Sequence, residues 1–375
     1  MITKIIKLRH ALHQNPEVSN NEYKTAERIE KFMKPFLPDE TINLSKTGKA
    51  FVFNGKEAGE TLMFRSELDA LPITETSNLE YASVNRNVAH ACGHDGHMAI
   101  LASLAQKIAS DRPRKGRVVL LFQPAEEVEQ GAVDVMESPR FKEIEPDYLF
   151  ALHNIPGSKE HNVLVKSGSF SAASKGMTIQ LFGRTSHAAE PENGVSPANA
   201  ISLIIQDLNQ LAKNKAFFKD LSLLTIIHIQ LGEISFGTSP GYAEIRVTLR
   251  SFENADMEIL TANAEKIVRE VSKAEGLRAE ISYSEVFPAS DNTKQCVSFV
   301  EQAAKENKLE VERLEKPFKW SEDFAYFAQK YNTCLFGLGA GATHVPLHNP
   351  TFNFPDEIIE TGSKLFFSIY KKINF

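Results

Sequence analysis

The sequence predicts an α/β protein: a mainly parallel sheet with helices on both faces, interrupted by a smaller ferredoxin-like α+β unit. Three observations predict it. The chain has 375 residues, beyond the size at which a single hydrophobic core stops growing. From the amino terminus to about residue 165, helix-period segments alternate with short apolar runs, the pattern of parallel strands joined by helices. From Met177 to Val286 the order becomes strand, helix, strand, strand, helix, strand, that of a ferredoxin-like domain.

Each element has a local reason. Ile2, Ile5, Ile6, Leu8 and Leu12 among Lys4, Lys7 and Arg9 make an amphipathic amino-terminal helix. Tyr23, Ala26, Ile29 and Phe32 predict a helix over 22–34. Leu62–Phe64, Arg117–Phe122 and Tyr148–Leu152 are apolar runs of the buried-strand type, and 98–109 is an alanine-rich helix. Met177–Phe182 alternates as a strand. Ser196-Pro197 reads as a helix start, with a capping serine and proline at the first helical position, continued by Ala198–Leu211. Leu223–Leu231 and Tyr242–Leu249 form an antiparallel pair across a Gly/Ser/Pro loop. Ala255–Ala274 is a helix stopped by Gly276, and Ala279–Val286 a last strand. From about residue 290 the first domain resumes as helix, strand and helix. The expected division is 1–168 with 288–375, and 169–287 between them.

Hydrophobic residues at 42% and charged residues at 24% can fill both cores. A net charge of −6, with basic residues scattered, gives no footprint for nucleic acid. No stretch approaches the roughly 20 apolar residues that cross a bilayer, and the amphipathic amino terminus lacks the unbroken apolar run of a secretory signal. No membrane partner is expected. Three cysteines, Cys92, Cys296 and Cys334, argue against a disulfide framework and for a reducing cytoplasm.

The chemistry-bearing residues follow strands. Asp69 comes after the first run, Glu126 and Glu127 after the second, and His153 after the third. Ligands of open parallel sheets bind beyond the carboxyl ends of the strands, so these groups are expected to converge. The densest cluster is His90-Ala91-Cys92-Gly93-His94-Asp95-Gly96-His97. Thiolate and imidazole are transition-metal ligands, and a bare polar helix start would not need three histidines and a cysteine in eight residues. Spacing alone does not choose among His90, His94 and His97, nor between His344 and His348. Paired glutamates are common at solvated helix starts; the strand-end position of Glu126-Glu127 favours metal hydrolysis instead, which needs one carboxylate on the ion and one moving a proton. His10 and His13 read as structural or surface residues, and so do His161, His228 and, on sequence alone, His187. A thiol nucleophile at Cys92 is disfavoured by the adjacent metal-type histidines.

Taken in order, Leu12–Glu17, Leu68–Ile73, His90–His97, Phe122–Glu127, Ala151–Asn154, Ser321–Phe324 and Leu347–Pro350 resemble the di-metal amidohydrolases. That group includes aminoacylases, hippurate hydrolases, N-acetyldiaminopimelate deacetylases and auxin-conjugate hydrolases. The resemblance runs nearly end to end. It implies Cys92, His94, Glu127, His153 and His348 as ligands of two divalent ions (zinc, manganese, cobalt or nickel), with Cys92 shared and Glu126 as general base. It implies Asp69 as a group orienting a metal ligand, His187 of the smaller domain as an oxyanion donor, and Arg250 as the partner of a substrate carboxylate. The 169–287 segment becomes a lid through which a homodimer forms. Two differences stand out: Glu67-Leu68-Asp69 replaces Asp-Met-Asp, and Gly237-Thr238-Ser239-Pro240 replaces an Asn-Val-Ile-Pro loop whose asparagine holds substrate in the family. The implied reaction is amide hydrolysis of an N-acyl amino acid, here expected to be N-acetyl. The alternatives are a metallo-carboxypeptidase or dipeptidase on short peptides, and a metal-binding or regulatory domain without catalysis.

Overall fold

A computed structural model describes residues 2–214 and 216–375. The chain forms two compact units. One comprises the chain up to Phe170 with Ser290–Pro317 and Asp323–Phe375; the other comprises Ser171–Ala289 with Phe318–Glu322. The first unit begins with helices α1 (Ile2–Gln14) and α2 (Tyr23–Met33), then strands β1 (Glu40–Leu44), β2 (Gly48–Asn54) and β3 (Glu57–Glu67). Helix α3 (His94–Ser110) and strands β4 (Lys115–Gln123), β5 (Tyr148–Ile155) and β6 (Val163–Val165) follow. The second unit contributes β7 (Ala173–Phe182), α4 (Ala198–Lys213), β8 (Ser222–Leu231), β9 (Tyr242–Ser251), α5 (Asn254–Ala274) and β10 (Arg278–Phe287). The chain closes with α6 (Lys294–Glu306), β11 (Val311–Arg313), β12 (Asn332–Gly339) and α7 (Glu357–Ile373).

The first unit's sheet runs β1-β2-β4-β3-β5-β12-β6-β11. Its four middle strands, β4, β3, β5 and β12, are parallel, while β1 to β2, β2 to β4 and β12 to β6 are antiparallel. The sheet is therefore mainly parallel only at its centre, where the strands named from the sequence lie. Phe51, Phe53, Phe64, Leu120 and Phe122 join one buried cluster with α1, α2, α3 and α7. The alternate residues Val52, Met63, Val119 and Leu121 are equally buried outside that cluster. A sheet covered on both faces gives continuous apolar runs rather than alternation, which is why these strands were readable. Strands β1 and β2 escaped the sequence reading because they form a short hairpin at the sheet's edge.

In the second unit the sheet order is β8-β9-β7-β10, all antiparallel. Met177, Ile179 and Leu181 of β7 and Ala243, Ile245, Val247 and Leu249 of β9 pack on α4 and α5, while their neighbours in sequence are more exposed. That one-sided burial is what alternation encodes. Helix α4 starts one residue later than expected: Pro197 is its cap position, and the Ser196 hydroxyl accepts the Ala198 N–H at 3.3 Å. Gly276 ends α5 at φ 69°, as its position suggested. The Phe318–Glu322 strip belongs here because Ala172 N–H donates to the carbonyls of Phe318 and Trp320, each at 3.0 Å. Such a distant pairing leaves no local sequence signal.

A buried ionic cluster ties α1 to α3. The Arg9 guanidinium donates to Asp95 at 3.1 Å, and His13 Nδ1 meets the same carboxylate at 2.9 Å. His13 Nε2 reaches Glu75 at 3.2 Å. Burial opposes charge on His13, but its bonds to Asp95 and Glu75 outweigh this and raise the imidazole from 6.5 to about 9. A raised folded-state value adds stability that is fully present below pH 6.5 and lost as the pH climbs through about 9. Its size is at most roughly 3 kcal/mol. Urea unfolding at pH 6 and at pH 10 should therefore show a larger loss of stability in the parent protein than in His13→Gln; equal losses would contradict the assignment.

Candidate metal centre

The carboxyl ends of the central strands carry the site. Glu67, the last residue of β3, is in register with Gln123, the last of β4. Asp69 and Glu126-Glu127 thus leave the sheet side by side. His153 lies inside β5, opposite Gly337 of β12, rather than beyond the strand's end. The loop after β3 leads to α3, whose first residue is His94; Gly93 before it has φ 99°, a left-handed turn that favours glycine.

Ligand-type atoms of Cys92, His94 and His153 lie within 4.8 Å of one another, and so do those of Cys92, Glu127 and His348, and of His94, Glu126 and Glu127. Cys92 Sγ is 3.5 Å from His153 Nε2. His94 Nε2 is 3.8 Å from Glu126 and 3.9 Å from Glu127, and His348 Nε2 is 3.8 Å from Glu127. His94 Nδ1 donates to the Asp69 carbonyl and His153 Nδ1 to the Asn154 carbonyl, each at 2.9 Å. Those bonds hold the ring orientation through Nδ1 and keep each Nε2 on the opposite side of the ring, the usual preparation of a metal-ligating histidine. His94 Nε2 is buried without a hydrogen-bond partner. A sulfur, three imidazoles and a carboxylate, with one buried ring nitrogen left without a hydrogen-bond partner, fit a transition-metal pair.

The electrostatics agree with such a fit. Burial alone would lower His94, but Asp69, Glu67 and Glu127 raise it to about 10, a measure of the negative potential there. His348, though partly exposed, is pushed below its ordinary value by partial burial and by the nearby His94. Burial would raise the Asp69 carboxyl, yet His94 and the Glu127 N–H hold it below its ordinary value. Asp69 Oδ2 accepts the Ser19 hydroxyl at 2.7 Å and the Glu127 N–H at 3.0 Å.

The other histidines separate cleanly. His90 is buried, has no hydrogen bond at either ring nitrogen, and is pushed by burial down to about 3. His97 falls in a further ligand-type group with Glu67 and His94, but its two nitrogens already meet Glu67 and Asn154, at 2.7 Å each. His344 donates to the Val345 carbonyl at 3.0 Å and joins no ligand group among the described residues. Beneath the site a buried chain runs from Asp323 through Arg65 to Glu67, His97 and Asn154. Arg65 and Ser19 were not singled out from the sequence, and Asn154 entered only as part of the Ala151–Asn154 run, because single polar residues carry no spacing signal.

His187 and Arg250 belong to the second unit. His187 pairs with Thr238 across a two-residue ladder and is exposed, its Nδ1 accepting the Ala189 N–H at 3.1 Å. Arg250 donates through Nη1 to the Lys319 carbonyl at 2.9 Å and Ser321 Oγ at 3.2 Å. A side chain at Gly237 would meet nothing within 4 Å, so the glycine there is not a steric requirement.

This chain belongs to peptidase family M20/M25/M40, whose pattern residues 63–372 match. It is 30% identical over 362 residues to the hippurate hydrolase of Campylobacter jejuni, covering 96% of this chain and 94% of that one. It is 28% identical to the N-acetyldiaminopimelate deacetylase of Bacillus velezensis, covering 98% of each. Among solved structures, a dinuclear metal-binding peptidase of the M20 family from Bacillus subtilis superposes with a TM-score of 0.86 at 25% identity, covering 100% of this chain and 98% of that one.

Proposed function

We propose that this chain hydrolyses the amide bond of N-acyl amino acids, using two divalent ions and Glu126 as general base. The observation that carries the reading is the presence of Cys92 in two overlapping donor groups, with Glu126 beside them. The names of the two relatives support an acyl amino acid as substrate. Two ions held by Cys92, His94, Glu127, His153 and His348 supply Lewis acidity toward a carbonyl and acidify water. Sulfur and imidazole suit zinc; manganese, cobalt and nickel accept the same donors. Glu126 takes the proton of the attacking water and returns it to the departing amine. Asp69 keeps the Glu127 backbone and the His94 ring in place. In the second unit, which we assign as the lid, His187 serves the oxyanion. Arg250 serves the substrate carboxylate through the guanidinium nitrogens left by its Nη1 bonds.

Two finer assignments accompany this reading. A homodimer through the second unit is supported by β8, an edge strand exposing Leu223, Ile227, Ile229 and Leu231. Natural edge strands are seldom left so apolar; sedimentation velocity reads the assembly directly, and a monomer at micromolar concentration would contradict it. A reducing cytoplasm suits three buried cysteines, and cell fractionation tests it. No helix among the described residues is long and apolar enough to cross a membrane.

Amine release from N-benzoylglycine, N-acetyl amino acids and dipeptides, with metal stripped and then resupplied, tests the whole reading. Restored cleavage of acyl amino acids is expected; preference for dipeptides would favour a peptidase, and no cleavage despite metal binding a non-catalytic domain. Glu126→Gln should abolish turnover while keeping its metal. His187→Ala should depress kcat more than it raises KM; parent-like rates would return it to an ordinary surface histidine.

A further inference from the structure

The turn that presents Glu126 is strained, and the side chain that braces it has no place in the reading above. Ala125 has φ 50°, a left-handed conformation that alanine adopts only when its surroundings impose it. Its carbonyl accepts the N–H groups of Gln130 at 3.2 Å and Gly131 at 3.1 Å. Gly131 must be glycine here, because a Cβ would lie 1.6 Å from the Pro124 carbonyl oxygen. The Ala125 N–H donates at 2.9 Å to Glu22 Oε1. One residue beyond Glu126, the Glu127 N–H donates to Asp69. Two buried carboxylates therefore grip the backbone on either side of the proposed base.

Glu22 stands at the cap position of α2, so an ordinary capping role must be weighed first. Its side chain makes no cap bond. Instead it is fully buried, with Oε1 also accepting the Asn20 N–H at 2.8 Å and Oε2 the Thr47 hydroxyl at 2.8 Å. Thr47 closes the turn between β1 and β2, so one carboxylate joins three loops, one of which carries Glu126. A helix cap does not require this geometry; aiming a base does.

We infer that Glu22 is a positioning residue for catalysis, holding the left-handed Ala125 peptide so that Glu126 points at the attacking water. The inference rests on Glu126 being the base. It assigns Glu22 no contact with substrate or metal, so its loss should change proton transfer and not binding.

The test uses the metal-loaded protein and three variants. Glu22→Ala should lower kcat for N-benzoylglycine by about 100-fold with KM within about threefold of the parent. Its metal content should be unchanged, and amide exchange over 124–131 should accelerate. Glu22→Gln keeps an oxygen for the two N–H donors and turns its NH2 toward the Thr47 hydroxyl, which can accept; kcat should return to within about threefold of the parent. Glu22→Asp keeps the charge but draws the carboxylate back from Ala125, and should lose rate while staying folded. Parent-like kcat in Glu22→Ala and Glu22→Asp would overturn the inference, as would rate and metal lost together. If Glu126→Gln itself kept full turnover, the assignment of the base would fail first, and this inference with it.

Discussion

Glu67, Asp69 and Asp95 are all buried in the first unit, around the residues from which the candidate centre is built. Carboxylates leave water together only where opposite charge or hydrogen-bond donors answer them. Arg65 and His97 outweigh the burial of Glu67 and hold it well below the usual carboxylate range. His13 and Arg9 do the same for Asp95. Asp69 relies on the hydrogen bonds of Ser19, His94 and the Glu127 N–H. Much of the first unit's polar interior is arranged to keep these acids charged, and a charged site is what a pair of divalent ions needs.

The backbone carries a matching constraint. Three loops that carry the proposed ligands pass through left-handed conformations, at Gly93 before His94, Ala125 before Glu126, and His348 itself with φ 61°. Two of the three are tied to other segments: His348 N–H donates to the Ala91 carbonyl at 2.7 Å, and the Ala125 amide to Glu22. Rigid strands alone bring only His153 into place. The other donors depend on turns whose strain is balanced by specific buried partners, which links the ionic network to the direction in which each side chain points.

How much of this was legible in the sequence depended on whether the signal was local. The eight-residue run around Cys92 was conspicuous because metal-ligating residue types rarely crowd together. Apolar runs revealed the central strands because a doubly covered sheet needs them. His344 and His348 could not be separated by spacing, since the difference lies in which ring faces Glu127. Glu22 stayed hidden because its partner, Ala125, lies 103 positions away in sequence and an isolated glutamate beside a helix start already has an ordinary explanation. The Phe318–Glu322 strip was placed with the first unit for the same reason: its pairing with Ala172 exists only in three dimensions.

The proposed metal centre depends above all on Cys92 being shared by two ion sites. Calorimetric titration of metal-free protein with zinc, checked by metal analysis after gel filtration, tests it most directly. Two equivalents are expected to bind per chain in the parent, and no more than one to be retained tightly in Cys92→Ala. A single equivalent in the parent, or two undiminished equivalents in the variant, would contradict it.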